Sequence, residues 1–151
     1  PQIGESLGER LDNVLTHCLE NGFQQAVVMD SDSPTLPPAY LGEVFSALAH
    51  GADVSLGPCD DGGYYLIGLN HPAPRLLREV RMSTPTVTAD TLALAAEERL
   101  RVHMLPAWHD VDDAQSLARL IEELSSCPQA SAVRTRRFLQ TQGMLPIERK
   151  P

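Results

Sequence analysis

The segment that most restricts the fold of this chain pairs two acids with two glycines, Asp60-Asp61-Gly62-Gly63. It lies between two apolar stretches, residues 54–56 and 64–69, whose composition is typical of β-strands. We refer to residues 59–63 as the acid–glycine loop. Because glycine reaches positive φ without a steric penalty, paired glycines allow a tight turn or the close approach of another molecule. The pattern therefore predicts either a hairpin with an acidic turn or a wall of a ligand pocket.

The remaining sequence alternates helical and strand-like patterns, which favours a layered α/β fold. Ser6 and Glu9 form a capping-box pair before a helix that ends near Gly22. The continuous apolar run at residues 26–29 predicts a strand covered on both faces. Further helices are expected around residues 35–48, 75–79, 84–98, 113–124 and 133–142, with another strand over 101–105.

The length of 151 residues fits one domain. We assign residues 1–126 to its α/β body and residues 127–151 to a C-terminal helix and basic tail packed on that body. The net charge of −8 argues against a nucleic-acid partner. Lys150 is the only lysine, which excludes a Schiff base or a lysine phosphate clamp in the body of the domain.

The three cysteines, Cys18, Cys59 and Cys127, are odd in number and share no metal-ligand spacing. They predict reduced thiols and a cytoplasmic protein. Cys59 has no neighbouring base in the sequence, so a nucleophilic role is not indicated. No apolar stretch is long enough to cross a bilayer.

Two more groups of acids follow strand-like segments. Asp30 and Asp32 follow residues 26–29, and Asp110 and Asp112 follow residues 101–105. Carboxylates at the ends of buried strands lie at the open edge of an α/β sheet, where they suit a divalent cation that bridges phosphate oxygens. The two groups together suggest one shared ion.

Both groups also have a structural alternative. Asp30, Asp32 and Ser33 fit an Asx-type turn before a helix, and Asp112 or Asp113 is a good N-cap. His109 fits a metal ligand or base, but a single histidine beside a tryptophan is also typical of packing.

Five motifs occur in a fixed order between residues 2 and 117. They are Leu7-Gly8-Glu9-Arg10, Ser31-Asp32-Ser33-Pro34, Gly57-Pro58 with residues 61–68, Ser83-Thr84-Pro85, and Asp110-Val111-Asp112. In this order they resemble the radical-SAM/selenodomain-associated transferase 1 family, which are glycosyltransferase-like proteins related to nucleotidyltransferases. The resemblance implies a three-layer, Rossmann-like GT-A fold of the α/β class with a mixed sheet. Residues 61–68 are its most specific part.

The resemblance implies a transferase whose substrate is a nucleotide-diphospho-sugar or a nucleotide, with a small-molecule or lipid acceptor. It implies a Mg²⁺ or Mn²⁺ ion held by Asp32, Asp110 and Asp112. Asp32 and Asp110 would also be the catalytic residues, because the ion would neutralise the departing diphosphate.

The resemblance also implies that Asp61, Gly62, Gly63 and Tyr64 line the pocket for the acceptor or for the sugar. Arg10 matches a segment on the nucleotide side of the family and could meet a phosphate. Its position on a predicted helix fits a surface ion pair equally well.

The sequence departs from the family in several places. The family usually begins with a strand and a glycine-basic nucleotide loop, and neither precedes the motifs here; Ser6 replaces a usual acid, Met82 a usual tryptophan, and Asp113-Ala114-Gln115 a usual Thr-Pro-Glu. We therefore expect an N-terminally incomplete sheet that a homo-oligomer covers. Three functions remain open: a glycosyltransferase, a nucleotidyltransferase that releases pyrophosphate, and a degenerate module that binds or oligomerises without catalysis.

Overall fold

The computed structural model describes residues 2–126 and 131–146. They form two compact units, the first from residues 2–30 and 37–109, and the second from residues 31–36 with the described residues from 110 onwards. Cys127, Arg149 and Lys150 lie outside the described residues, as does the boundary expected at residue 127; residues 131–146 of the expected C-terminal segment are described.

The first unit contains four strands and four helices. In chain order they are α1 (Leu7–Glu20), β1 (Ala26–Met29), α2 (Pro38–Ala49), β2 (Val54–Pro58), β3 (Tyr64–Leu69), α3 (Pro74–Arg78), α4 (Val87–Glu97) and β4 (Val102–Met104). The expected capping box is present, because the Glu9 amide donates to Ser6 Oγ at 3.2 Å and the Glu5 amide donates to Glu9 Oε2 at 2.8 Å.

The strands form a mixed sheet in the order β1-β3-β2-β4. Strand β3 is antiparallel to both β1 and β2, whereas β2 and β4 are parallel. The carboxyl ends of β1, β2 and β4 therefore lie at the same edge of the sheet, together with the start of β3. This edge is where ligands bind in open α/β sheets.

Helices cover both faces of the sheet. On one face, a β-carbon at Gly68 would lie 2.9 Å from a methyl group of Val44 and 3.1 Å from one of Leu48, so α2 packs closely only because residue 68 is glycine. On the other face, buried strand residues including Ile67 share a hydrophobic core with α1, α3 and α4. Alternate strand residues point to opposite faces, and three layers result.

One expectation for the sheet is wrong. Strand β1 is not covered on both faces: Val27 and Val28 are half-buried, and Met29 is 43% exposed. Among the described strands, β1 pairs only with β3 and thus forms one edge of the sheet. A continuous apolar run is typical of a central strand that is buried on both faces. The same run also occurs in β1, a strand at the edge of the sheet whose side chains are less completely covered.

The second unit contains α5 (Ala114–Ser126) and α6 (Val133–Thr141). Its core is a small cluster of four buried leucines, namely Leu120, Leu124, Leu139 and Leu145. Residues 31–36 join this unit through a bond from Thr35 Oγ1 to Glu123 Oε2 at 3.0 Å. In the described parts of the chain, no helix combines the length and apolar character needed to cross a membrane.

Candidate functional site

Three segments of the first unit meet at the carboxyl-terminal edge of the sheet. The Asp30 amide donates to the Tyr65 carbonyl at 2.9 Å, which continues the pairing of β1 with β3. The Trp108 amide donates to the Pro58 carbonyl at 3.0 Å, and the Asp60 amide donates to the Trp108 carbonyl at 3.1 Å. The acid–glycine loop is thus held in place by the chain that follows β4.

The acid–glycine loop connects two antiparallel neighbours, so its backbone is the hairpin with an acidic turn that was one of the two sequence alternatives. The Cys59 amide donates to the Gly63 carbonyl at 2.9 Å, and the Gly62 amide donates to the Cys59 carbonyl at 3.2 Å. The Gly63 amide donates to Asp61 Oδ1 at 2.8 Å, which orients that carboxylate. Asp60 and Asp61 are exposed at the tip.

The glycine pair packs against the beginning of α4. Gly62 has φ +93°, and a β-carbon there would stand 1.9 Å from the Pro85 carbonyl oxygen. The Thr88 amide donates to the Gly62 carbonyl at 3.0 Å, and Thr88 Oγ1 donates to the Gly63 carbonyl. One side of the loop is therefore filled by the protein's own backbone.

Cys59 and Asp61 each offer a potential metal-ligand atom on this loop. The Cys59 Sγ and an Asp61 carboxylate oxygen lie within 4.8 Å of each other, and Cys59 is buried. A thiolate beside a carboxylate suits a divalent transition metal better than Mg²⁺, which prefers oxygen alone. Sequence reasoning did not select Cys59, because the three cysteines have no ligand spacing. The feature of the sequence that could have indicated Cys59 as a metal ligand is its position directly before Asp60 and Asp61.

Both tyrosines of β3 are kept neutral. Burial raises the pKa of Tyr64 to about 12, and its hydroxyl donates to Met82 Sδ at 3.5 Å. Burial is also the main cause that raises the pKa of Tyr65 to about 12, and its hydroxyl donates to the Pro106 carbonyl at 3.0 Å. Neither phenol is suited to proton transfer near neutral pH. Tyr64, which follows the acid–glycine loop directly, therefore presents an aromatic ring, and its hydroxyl is not suited to act as a base.

His109 is a packed residue, as one of its two sequence alternatives predicted. It is 8% exposed, and its ring stacks on Trp108 at a centroid distance of 5.3 Å. Tyr40 meets the same indole edge-on at 5.9 Å. The indole Nε1 is buried and has no hydrogen-bond partner among the described residues.

The second unit brings two acidic segments together. The Val111 amide donates to the Asp32 carbonyl at 3.1 Å, so Asp32 lies beside the segment that contains Asp110 and Asp112. Asp113 caps α5, because its Oδ1 accepts the Ser116 amide at 2.7 Å. Hydrogen bonds from Ser116 lower the pKa of Asp113. The N-cap is therefore Asp113 and not Asp112.

Arg10 lies in the first turns of α1 and is exposed. Its Nε donates to the Gly4 carbonyl at 3.0 Å, and none of the ion pairs among the described residues includes it. The surface ion pair suggested by its sequence position is not formed there.

Comparison with known proteins supports the fold and identifies the family. The family described as "Uncharacterized protein conserved in bacteria (DUF2064)" matches residues 1–84, which include α1 and the acid–glycine loop. No curated protein matches the chain.

A crystal structure of a proposed nucleotide-diphospho-sugar transferase from Desulfovibrio desulfuricans G20 has a similar fold, with a TM-score of 0.81 and 30% sequence identity. The match covers 93% of this chain and 64% of that protein, so this chain spans just under two thirds of the relative's length. The predicted α/β fold with a mixed sheet, resembling a nucleotide-diphospho-sugar transferase, is confirmed.

Proposed function

The chain belongs to the DUF2064 family, and on that premise we propose that it is a metal-dependent transferase with a nucleotide-diphospho-sugar donor. The observation that carries this proposal is the similarity to the Desulfovibrio protein, which is described as a proposed nucleotide-diphospho-sugar transferase. The proposal places the chain among GT-A glycosyltransferase-like proteins, within the radical-SAM/selenodomain-associated transferase 1 group that the motif order resembles. The acceptor is a small molecule or a lipid.

We propose that Asp32, Asp110 and Asp112 bind a Mg²⁺ or Mn²⁺ ion, with Asp32 and Asp110 as catalytic residues. The supporting contact is the bond from the Val111 amide to the Asp32 carbonyl, which joins the two acidic segments within one unit. Carboxylate oxygens are the ligands that both ions accept. Such an ion would supply positive charge opposite the departing diphosphate.

The acid–glycine loop is the proposed wall of the donor pocket. The carboxylate of Asp61 is oriented by the Gly63 amide, and Tyr64 presents a neutral aromatic ring. Gly62 and Gly63 would line the same wall with backbone groups. Arg10 would meet a phosphate, because its planar guanidinium can donate two parallel hydrogen bonds to phosphate oxygens.

Titration of the chain with Mn²⁺, with and without UDP-glucose or GDP-mannose, tests the cation site. Asp32→Ala and Asp110→Ala are each expected to weaken Mn²⁺ binding by about tenfold or more. Glu20→Ala, at the far end of α1, is the control and should bind as the unchanged chain does. Intact Mn²⁺ binding in Asp32→Ala would overturn the assignment. If Mn²⁺ affinity falls only in Cys59→Ser and Asp61→Asn, the ion is bound by Cys59 and Asp61 instead.

The reaction products separate the two enzymatic alternatives. Release of a nucleoside diphosphate is expected for a glycosyltransferase, whereas pyrophosphate released from a nucleoside triphosphate would identify a nucleotidyltransferase. If millimolar nucleotide or nucleotide sugar does not raise the melting temperature, both enzymatic proposals fail, because a ligand that binds the folded state must stabilise it.

A binding or oligomerising module is the second candidate function, and the open edge of β1 favours it. Because Asp30 bonds to Tyr65, Val27 and Met29 direct their backbone groups away from β3. Phe23, which lines a surface depression with Val27 and Val28, is 64% exposed. An open strand edge beside apolar side chains is a surface on which another strand can pair. We propose that a second copy of the chain pairs there.

Sedimentation over a range of protein concentrations tests the pairing. Met29→Lys should shift the chain towards monomer, because the substitution places like charges on both copies at the shared edge. Phe45→Lys is the matched control, since Met29 and Phe45 are 43% and 44% exposed and Phe45 lies on α2. A monomeric unchanged chain, or equal effects of both substitutions, would exclude this interface.

A further inference from the structure

We propose that Thr88 is a positioning residue that holds the acid–glycine loop in its substrate-binding shape, an inference that rests on the proposed function. Thr88 makes two bonds to adjacent carbonyls of the loop. Its amide donates to Gly62, and its Oγ1 donates to Gly63. Thr88, at the start of α4, thus restrains the carbonyl groups of both glycines.

These bonds are not ordinary helix capping. The first amides of a helix have no intrahelical acceptor and are usually satisfied by the residues just before the helix. Val87 follows that rule, because its amide donates to the Thr84 carbonyl at 3.2 Å. Thr86 also stays local, with its Oγ1 donating to Asp90 Oδ2 at 2.8 Å. Thr88 instead reaches a loop that precedes it by 25 residues.

Gly63 connects Thr88 to Asp61 through its own hydrogen bonds. Its carbonyl accepts from both the Cys59 amide and Thr88, while its amide donates to Asp61 Oδ1. The Gly63 amide belongs to the Gly62–Gly63 peptide, whose carbonyl accepts the Thr88 amide, so a rotation of that peptide would disturb the Asp61 carboxylate as well as the turn. Thr88 acts on the proposed donor wall through Gly63 and does not itself need to touch a substrate.

Thr88→Val is the test, because valine keeps the branched shape and removes the hydroxyl. At saturating Mn²⁺, we expect donor affinity for UDP-glucose or GDP-mannose to fall about three- to tenfold, the effect of one lost hydrogen bond. Affinity for Mn²⁺ without donor should not change. Thr88→Ser should restore donor binding, and Thr86→Val should match the unchanged chain.

Hydrogen exchange of the Gly63 amide tests the positioning without any ligand. We expect faster exchange in Thr88→Val than in Thr88→Ser or Thr86→Val, because the lost hydroxyl bond frees the adjoining Gly63–Tyr64 peptide and leaves the backbone torsions of Gly63 less restrained. If Thr88→Val does not fold, the comparison of Thr88→Ala with Thr88→Ser replaces it. Unchanged Gly63 exchange, or equal loss of donor and Mn²⁺ affinity, would overturn the inference.

The two proposals fail in different ways. An unchanged chain that binds no donor contradicts the proposed function, whereas the Gly63 exchange still tests the action of Thr88 on the loop. Trp108 provides a second signal, because it is the only tryptophan and its carbonyl accepts the Asp60 amide. Its fluorescence should change in Thr88→Val and not in Thr86→Val.

Discussion

The Pro85 carbonyl oxygen occupies the space that a side chain at Gly62 would need. A β-carbon at residue 62 would lie 1.9 Å from that oxygen, and the backbone there has φ +93°. Both the close approach and the positive φ require glycine, and both arise inside the protein. Packing against Pro85 therefore explains the glycine on this side of the acid–glycine loop.

Gly62→Ala is expected to destabilise the chain by at least about 1–3 kcal/mol, because alanine is strained at this φ and its methyl group meets backbone atoms. The unfolding free energy from urea denaturation measures this loss. Gly42→Ala is the matched control, since Gly42 lies within α2 and nothing stands within 4 Å of the new methyl group. That change should stabilise the chain by about 0.5–1 kcal/mol. Similar losses in both variants would argue against the Pro85 contact.

Arg78→Met is expected to cost more stability than Arg75→Met, although Arg75 pairs with three carboxylates. Arg78 bonds to Asp12, whose side chain is 7% exposed, and its removal leaves a buried charge without its cationic partner. The partners of Arg75 are more exposed, and exposed pairs are worth about 0–1 kcal/mol. Thermal unfolding of the two variants gives the comparison, and a larger loss in Arg75→Met would contradict it.

Part of the loss of folding stability at low pH should come from the protonation of Asp53. Its side-chain bonds with Arg101, together with the Arg101 amide, lower its pKa from 3.8 to about 2. A lowered folded-state pKa adds stability above the ordinary pKa, and this stability is lost as the pH falls towards the folded value. The difference in unfolding free energy between the unchanged chain and Asp53→Asn should therefore shrink from about pH 4 to about pH 2. A constant difference across that window would contradict this prediction.

Tyr65→Phe should loosen the segment that follows β4. The lost bond from the Tyr65 hydroxyl to the Pro106 carbonyl is expected to cost about 0.5–1.5 kcal/mol. Trp108 lies two residues further on, so its emission should also shift. Tyr40→Phe is the control, because it keeps the ring that meets Trp108 edge-on. Chemical denaturation followed by fluorescence measures both effects.

Local patterns predicted the elements of this fold well. The capping box of Ser6 with Glu9, the hairpin at the acid–glycine loop and the helix cap at Asp113 all appear as expected. Each depends on residues close together in the chain, where side-chain type and backbone geometry are directly linked. The α/β class follows from the same alternation of patterns.

Long-range packing was not visible in the sequence. The edge position of β1, the contact of Tyr40 with Trp108 and the contact of Gly62 with Pro85 depend on neighbours that the sequence pattern does not specify. The motif order suggested Asp32 and Asp110 together, and the structure places the backbone of Asp32 beside Val111. Their joint role in metal binding stays a prediction.

By itself, the sequence determined the secondary structure, the α/β class and the acids that follow the strands, because local backbone preferences and apolar periodicity encode them. Only the tertiary structure decided why Gly62 must be glycine, and that Thr88 reaches back to the acid–glycine loop. Those contacts join residues more than twenty positions apart. They exist because the chain folds α4 against a hairpin whose own sequence does not specify that neighbour.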